Sequence, residues 1–258
     1  MALYIIAAHG GAGYHPPESD SSLRRSLRAA ISSALPAFSG ATITHNSSSS
    51  ESSSLALDAT TAVIVALEDH PDFNAGYGSN LTFDGQVECD ASLMVSTEEK
   101  GKGSPLAPPP SPPPSVPFSF GSVGAVCGVR NPVLLARCIL EGRRQRERMG
   151  RVPPLTLVGD GAVKFARERG VRVVDSPEEM VAPRARQEWR VWRERCRRDH
   201  GGGDEKVESK DLPSGEEGAE VLRVRLDTVG AVVLVGEAHE VGQRPEVAAG
   251  VSRCVLLS

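Results

Sequence analysis

Apolar residues along this chain come either in short continuous runs or at three-to-four-residue spacings, and the two patterns predict alternating strands and helices. Residues 3–8 (LYIIAA) form a continuous run that stops at His9, Gly10 and Gly11, which reads as a buried strand entering a tight turn. Leu23, Leu27, Ala30, Ile31 and Ala34 then share one helical face, with Pro36 as the expected stop. A second apolar helix is predicted over 57–67 and must end by Pro71. Strands are predicted over 86–95 (QVECDASLMV) and 122–129 (SVGAVCGV), the first with Asp90 as an unusual charge in its middle. Asn131-Pro132 opens a helix carrying Leu134, Leu135, Cys138 and Ile139, which runs into Arg143, Arg144, Arg146 and Arg148. A short strand over 155–158 and a helix over 162–168, closed by Gly170, follow. Trp189, Trp192 and Cys196 recur at helical spacing inside the Arg-rich stretch 182–200. The last long run, 228–235 (TVGAVVLV), is β-branched and begins where a Gly-rich, acidic stretch has ended.

Three segments interrupt this pattern. Residues 39–54 are Ser-rich and read as a flexible insert, and 96–120 form a second insert that is proline-rich from 105 to 117. Polyproline II is the expected conformation there, serving as a semi-rigid spacer or as a ligand for an SH3-like or WW-like domain. Residues 183–225 read as a charged linker, disordered over 201–220. Hydrophobic content of 40%, charged content of 24% and a net charge of -4 fit a soluble globular protein with no overall pull toward nucleic acid or membrane. The arginines between 184 and 198 suit a solvated helix, with nuclear import or nucleic-acid contact as the alternative. Five cysteines without Cys-x-x-Cys spacing point to reduced thiols. Residues 2–8 lack a basic flank and the length of a signal segment, so a cytoplasmic or nuclear location is expected.

The chemistry centres on Asp227-Thr228. If that bond were cut, Thr228 would carry a nucleophilic hydroxyl and a free α-amine on one residue, and the amine could act as its base. With a pKa near 7.7 to 8.0, about a tenth of such an amine is neutral at pH 7, far more than for a lysine. The alternative is that Thr228 merely starts a core strand. Asn74 and Asn80 lie among glycines in a helix-to-strand loop, and a neutral Asn amide can donate to a developing oxyanion, although Asn beside Gly is also a common turn former.

Six stretches in order carry a resemblance: HGGAGYH at 9–15, LEDHPDFNAGYGSNL at 67–81, VECDASLM at 87–94, VGAVCGVRNPVLLA at 123–136, GRVPPLTLVGDGA at 150–162 and LDTVGAVV at 226–233. On these the chain resembles the type-2 asparaginase-like N-terminal-nucleophile hydrolases, and within them the threonine aspartase (taspase) branch. GRVPPLTLVG, GYGSNL and the charged linker look like taspase, whereas His9, Gly10 and Gly11 take the form more usual in asparaginases and would shape the site. The resemblance implies an α+β fold, a four-layer αββα sandwich, in which residues 1–227 form the first subunit and 228–258 start the second. It implies self-cleavage between Asp227 and Thr228, with Thr228 as nucleophile and, through its amine, base, and with Asn74 close by. The implied activity is cleavage of protein substrates after Asp, with asparaginase or isoaspartyl peptidase activity as the alternative and a homodimer of αβ units as the assembly. No organic cofactor is implied. The backbone at Leu67, Glu68, His70, Phe73, Ala75 and Tyr77 corresponds to a loop that holds sodium in asparaginases.

The departure lies after the nucleophile strand. Only 31 residues follow Asp227, with 247–252 (VAAGVS) expected as a second strand, and the family's assisting hydroxyl, substrate-binding Arg and Asp, and later oxyanion donor have no counterparts. The sandwich is therefore expected to be incomplete, with strands lacking outer neighbours, and self-cleavage to be slow. A non-catalytic homologue that acts by association with a full-length partner is the further alternative.

Overall fold

The computed structural model describes residues 2–11, 17–39, 49–96, 118–142, 150–201, 229–237 and 252–255. Strand β1 (Ala2–His9) is followed by helices α1 (Pro17–Ser32), α2 (Leu35–Phe38) and α3 (Ser49–Glu68). Next come β2 (Cys89–Ser96), β3 (Phe118–Val126), α4 (Pro132–Gly142), β4 (Thr156–Val158), α5 (Gly159–Glu168) and α6 (Pro183–Gly201). Strands β5 (Gly230–Glu237) and β6 (Ser252–Val255) complete one six-stranded sheet in the order β1-β5-β6-β2-β3-β4. All neighbours are antiparallel except β3 and β4.

Alternation decides which face of that sheet is covered. Tyr4, Ile6 and Ala8 of β1, Ala231, Val233 and Val235 of β5, and Leu93 and Val95 of β2 join one core with Ala59, Val63, Ile64 and Leu67 of α3. Ala91 and Val123 continue the same layer beneath Leu135, Ala136 and Ile139 of α4 and Ala162 and Ala166 of α5. On the opposite face the register aligns Ala7, Val232, Val255, Met94 and Phe120 across five strands. No helix among the described residues covers that row, and Ile5 and Met94 stay 50% and 37% exposed. The described residues thus form one α-layer on one sheet; a second sheet packed against the open face is not among them. Nor is any described helix long and apolar enough to cross a membrane.

Several elements differ from the sequence reading. Pro36 does not end a helix but lies in the first turn of α2, where its missing N–H costs nothing. Helix α3 starts at Ser49, inside the Ser-rich insert, because serine is well suited to a helix start. Strand β3 starts at Phe118, within the stretch read as the second insert. The helix expected in the Arg-rich stretch 182–200, the first part of the charged linker, is the nineteen-residue α6. Of the strand expected over 247–252, residues 247–251 lie outside the described residues, and Ser252 opens β6 (Ser252–Val255), which pairs on both sides, with β5 and β2. Asp90 occupies an irregularity between Cys89 and Ala91, and its carboxylate accepts the N–H of Ala125 at 2.8 Å. Ala125 holds a left-handed backbone, φ 47°, which that bond helps to fix.

Candidate functional site

The candidate site gathers at the end of the sheet where β1 finishes and β5 begins. His9 pairs with Gly230, and a Cβ on Gly230 would lie 2.2 Å from His9 Nε2, so the imidazole covers the start of β5 only because residue 230 has no side chain. Val229, fully buried, anchors the chain just before that strand. Asp227 and Thr228 lie outside the described residues. After His9 the backbone of Gly10 runs against the Phe73 ring, with a Cβ there 2.6 Å from Cε1. Gly11 follows with φ 104°, a conformation that glycine adopts freely.

Phe73 brings in the second wall. It is buried in the α3 core, and its neighbour Asn74 accepts the N–H of Asn80 through Oδ1 at 2.8 Å. That bond orients the amide, so Nδ2 is the donor end. The loop around it is built on backbone oxygens. A Cβ on Gly78 would lie 2.2, 2.5 and 2.9 Å from the carbonyl oxygens of Phe73, His70 and Pro71, and one on Gly76 would lie 2.6 Å from that of Glu68. Hard cations such as sodium take oxygen ligands; the carbonyls of Phe73, His70 and Pro71 close on one point beside Gly78, which suits such a group, while that of Glu68 lies beside Gly76. Among the described residues no cluster of three or more His, Cys, Asp or Glu side chains is placed to hold a metal. His70 is fixed by its ring nitrogens: Nδ1 accepts the N–H of Asp72 at 3.2 Å, which leaves Nε2 to donate to Ser26 Oγ at 2.9 Å. Tyr77 lies under the Arg130 guanidinium at 4.8 Å, and Arg130 Nε donates to Asp69 at 3.0 Å. Leu67 and Ala75 are buried at the two ends of this loop.

Two side chains below the loop carry perturbed ionisations that the sequence reading missed. Burial pushes the Glu68 carboxyl up to about 8, against hydrogen bonds from the Val133 N–H and from Asn131. Its Oε1 accepts that Val133 N–H at 3.0 Å, in the first turn of α4, while Oε2 has no hydrogen-bond partner among the described residues. Burial likewise pushes the Cys89 thiol up to about 12, and Ser79 Oγ lies 3.4 Å from its sulfur. Cys89 is therefore a packing residue, not a nucleophile. In the sequence Glu68 shows only as a carboxylate, beside Asp69, at the end of an apolar helical run and as a backbone position of the sodium-like loop, with nothing to mark its side chain as buried. Helix α6 also reaches the loop: Arg184 donates to the carbonyls of Gly78 at 2.7 Å and Pro71 at 3.2 Å.

Comparison with known proteins gives a consistent set of relatives. The family profile described as Asparaginase matches residues 2–103 and 116–252, and its gap falls inside the proline-rich insert. A plant-type L-asparaginase of Thermococcus kodakarensis is 35% identical over 182 residues, covering 70% of this chain and 47% of that protein. An isoaspartyl peptidase/L-asparaginase of Danio rerio is 32% identical over 189 residues, 73% of this chain and 47% of that protein. The corresponding protein of Rattus norvegicus is 36% identical over 116 residues, 45% of this chain and 26% of that protein. The chain spans about half the length of the curated relatives it matches first.

Proposed function

Because the chain belongs to the asparaginase family of N-terminal-nucleophile hydrolases, we propose that it builds the site of an amidohydrolase acting on L-asparagine and β-aspartyl peptides, with Thr228 as nucleophile. The observation that carries this reading is the chain of contacts that links the start of β5, two residues beyond Thr228, to His9, and the adjoining Gly10 to Phe73, the neighbour of Asn74. Hydrolysis of the Asp227–Thr228 bond would free the Thr228 amine. That amine would take the hydroxyl proton as Oγ1 attacks the side-chain amide carbon of the substrate, and would return it to the leaving nitrogen. Water would then release aspartate from the acyl-threonine. Asn74 Nδ2 is the group suited to meet the developing negative charge, with its amide held by the bond to Asn80.

The names of the relatives favour amide and isoaspartyl substrates over cleavage of proteins after Asp, the activity that the taspase-like stretches suggest. A sodium ion would be held by the carbonyls of the 68–78 loop and would keep those oxygens together. The open face of the sheet supports the sandwich architecture, in which a second sheet covers it, and a homodimer of such units remains part of the proposal.

The test is turnover by the purified chain of L-asparagine, of β-aspartyl-leucine and of a peptide with an internal Asp, each beside Thr228→Ala. Ammonia or leucine released by the wild type alone supports the proposal. Cleavage of the third substrate only would move the chain to the Asp-specific peptidase reading. A folded chain inert toward all three would leave the non-catalytic role, by association.

A further inference from the structure

We propose that Arg184 on α6 is a positioning residue for the Asn74 loop: its guanidinium fork joins the carbonyls of Pro71 and Gly78 and thereby sets how Asn74 is presented. These two oxygens bracket Asn74, and they are reached from a helix more than a hundred residues along the chain, with Nε on Pro71 O at 3.2 Å and one terminal nitrogen on Gly78 O at 2.7 Å. The other terminal nitrogen is held by Glu188 Oε2 at 2.7 Å, so donors on all three nitrogens are engaged and the plane of the fork is fixed. A lysine ammonium, a point charge, has no such planar geometry.

The rest of α6 secures the same loop further along. Ala185 is buried, and Trp189 Nε1 donates to the Phe83 carbonyl at 3.2 Å. Gly85, with φ 81°, passes so close to the Trp189 ring that a Cβ would lie 2.9 Å from Cζ2. The helix therefore holds the loop at two places, near Gly78 and near Phe83, with Asn80 and its bond to Asn74 on the near side. A helix with only surface roles would not spend its few buried contacts on carbonyls of one loop. That Asn74 matters for chemistry rests on the hydrolase reading above, whereas the mechanical link from Arg184 to the loop does not.

Hydrogen exchange read by mass spectrometry on the full 258-residue chain tests the link. In Arg184→Met the amides of 76–80 should exchange at least ~10-fold faster, as expected when two charge-assisted bonds to a loop are lost. Arg184→Lys should recover part of that protection, since an ammonium still reaches one carbonyl. Trp189→Phe should instead loosen 82–86, and none of the three should alter β1 and β5. Unchanged exchange over 76–80, or an equal rise across all strands, would overturn the proposal. Should Arg184→Met fail to fold, the lysine and Trp189 variants carry the same comparison, with no separation between 76–80 and 82–86 as the overturning result. Loosening of the loop in a chain inert toward every substrate would uphold the positioning and sink the hydrolase reading. Unchanged exchange in a chain that turns substrate over would do the reverse.

Discussion

Replacing Glu68 by Gln should make the protein's stability less dependent on pH, and by an amount that follows from burial. In the folded chain the carboxyl is pushed up to about 8 from an ordinary value of 4.5, chiefly by desolvation. A carboxyl raised in this way contributes stability that is fully present below pH 4.5 and is lost as pH rises through about 8, because the unfolded chain ionises first. Across that window the loss is about 1.4 kcal/mol per pH unit, or roughly 3 kcal/mol between pH 5 and 7.5. Gln keeps the shape and the acceptor for the Val133 N–H but cannot ionise, so it carries no such loss. Near pH 5 the variant should match the wild type within about 1 kcal/mol, since both are then neutral at this position. At pH 8 it should be the more stable by several kcal/mol. Urea unfolding followed by tryptophan fluorescence at pH 5, 6, 7 and 8 gives the comparison, and every other titrating group cancels in the difference. Parallel stability curves for the two proteins would refute the reasoning.

Other positions give sharper local tests. Gly230→Ala should cost about 1–3 kcal/mol by overpacking, because its Cβ would meet His9 Nε2, and adding His9→Ala should recover most of the loss in a double-mutant cycle of urea midpoints. Leu93→Ala, at a fully buried position where β2 meets the α3 core, should destabilise by about 2–5 kcal/mol in the same assay. Cys89, buried and with its thiol pushed up to about 12, should resist iodoacetamide at pH 8 in the native chain and react only after unfolding. Peptide mapping after a timed pulse would show labelling of Cys127 before Cys89.

The strands and helices were legible wherever their apolar pattern was strong. Residues 3–8 and 228–235 read as buried strands; the structure pairs Ala2–His9 with Gly230–Glu237, and Thr228 lies outside the described residues. Local composition did not show that Ser252–Val255 would be gripped from both sides, as β6 is by β5 and β2. Helix α3 began early for a related reason: a serine run is polar and looks like a linker, yet serine tolerates a first helical turn. In the site, the glycines of 9–11 and 76–78 were visible as places of close approach, but not what they approach. Phe73 against Gly10 and His9 against Gly230 are contacts between distant parts of the chain. Arg184 was hidden in a crowd of arginines, since nothing in a helical period singles out the one whose fork meets two carbonyls.

The most direct measurement is an intact-mass time course on the purified chain beside Thr228→Ala. If Thr228 becomes the terminal nucleophile, a 31-residue fragment beginning at Thr228 should appear with time in the wild type and never in the variant. A single unchanged mass in a soluble, folded wild-type chain would contradict the assignment of Thr228 and leave His9, Gly10 and the Asn74 loop as the remains of a site without its nucleophile.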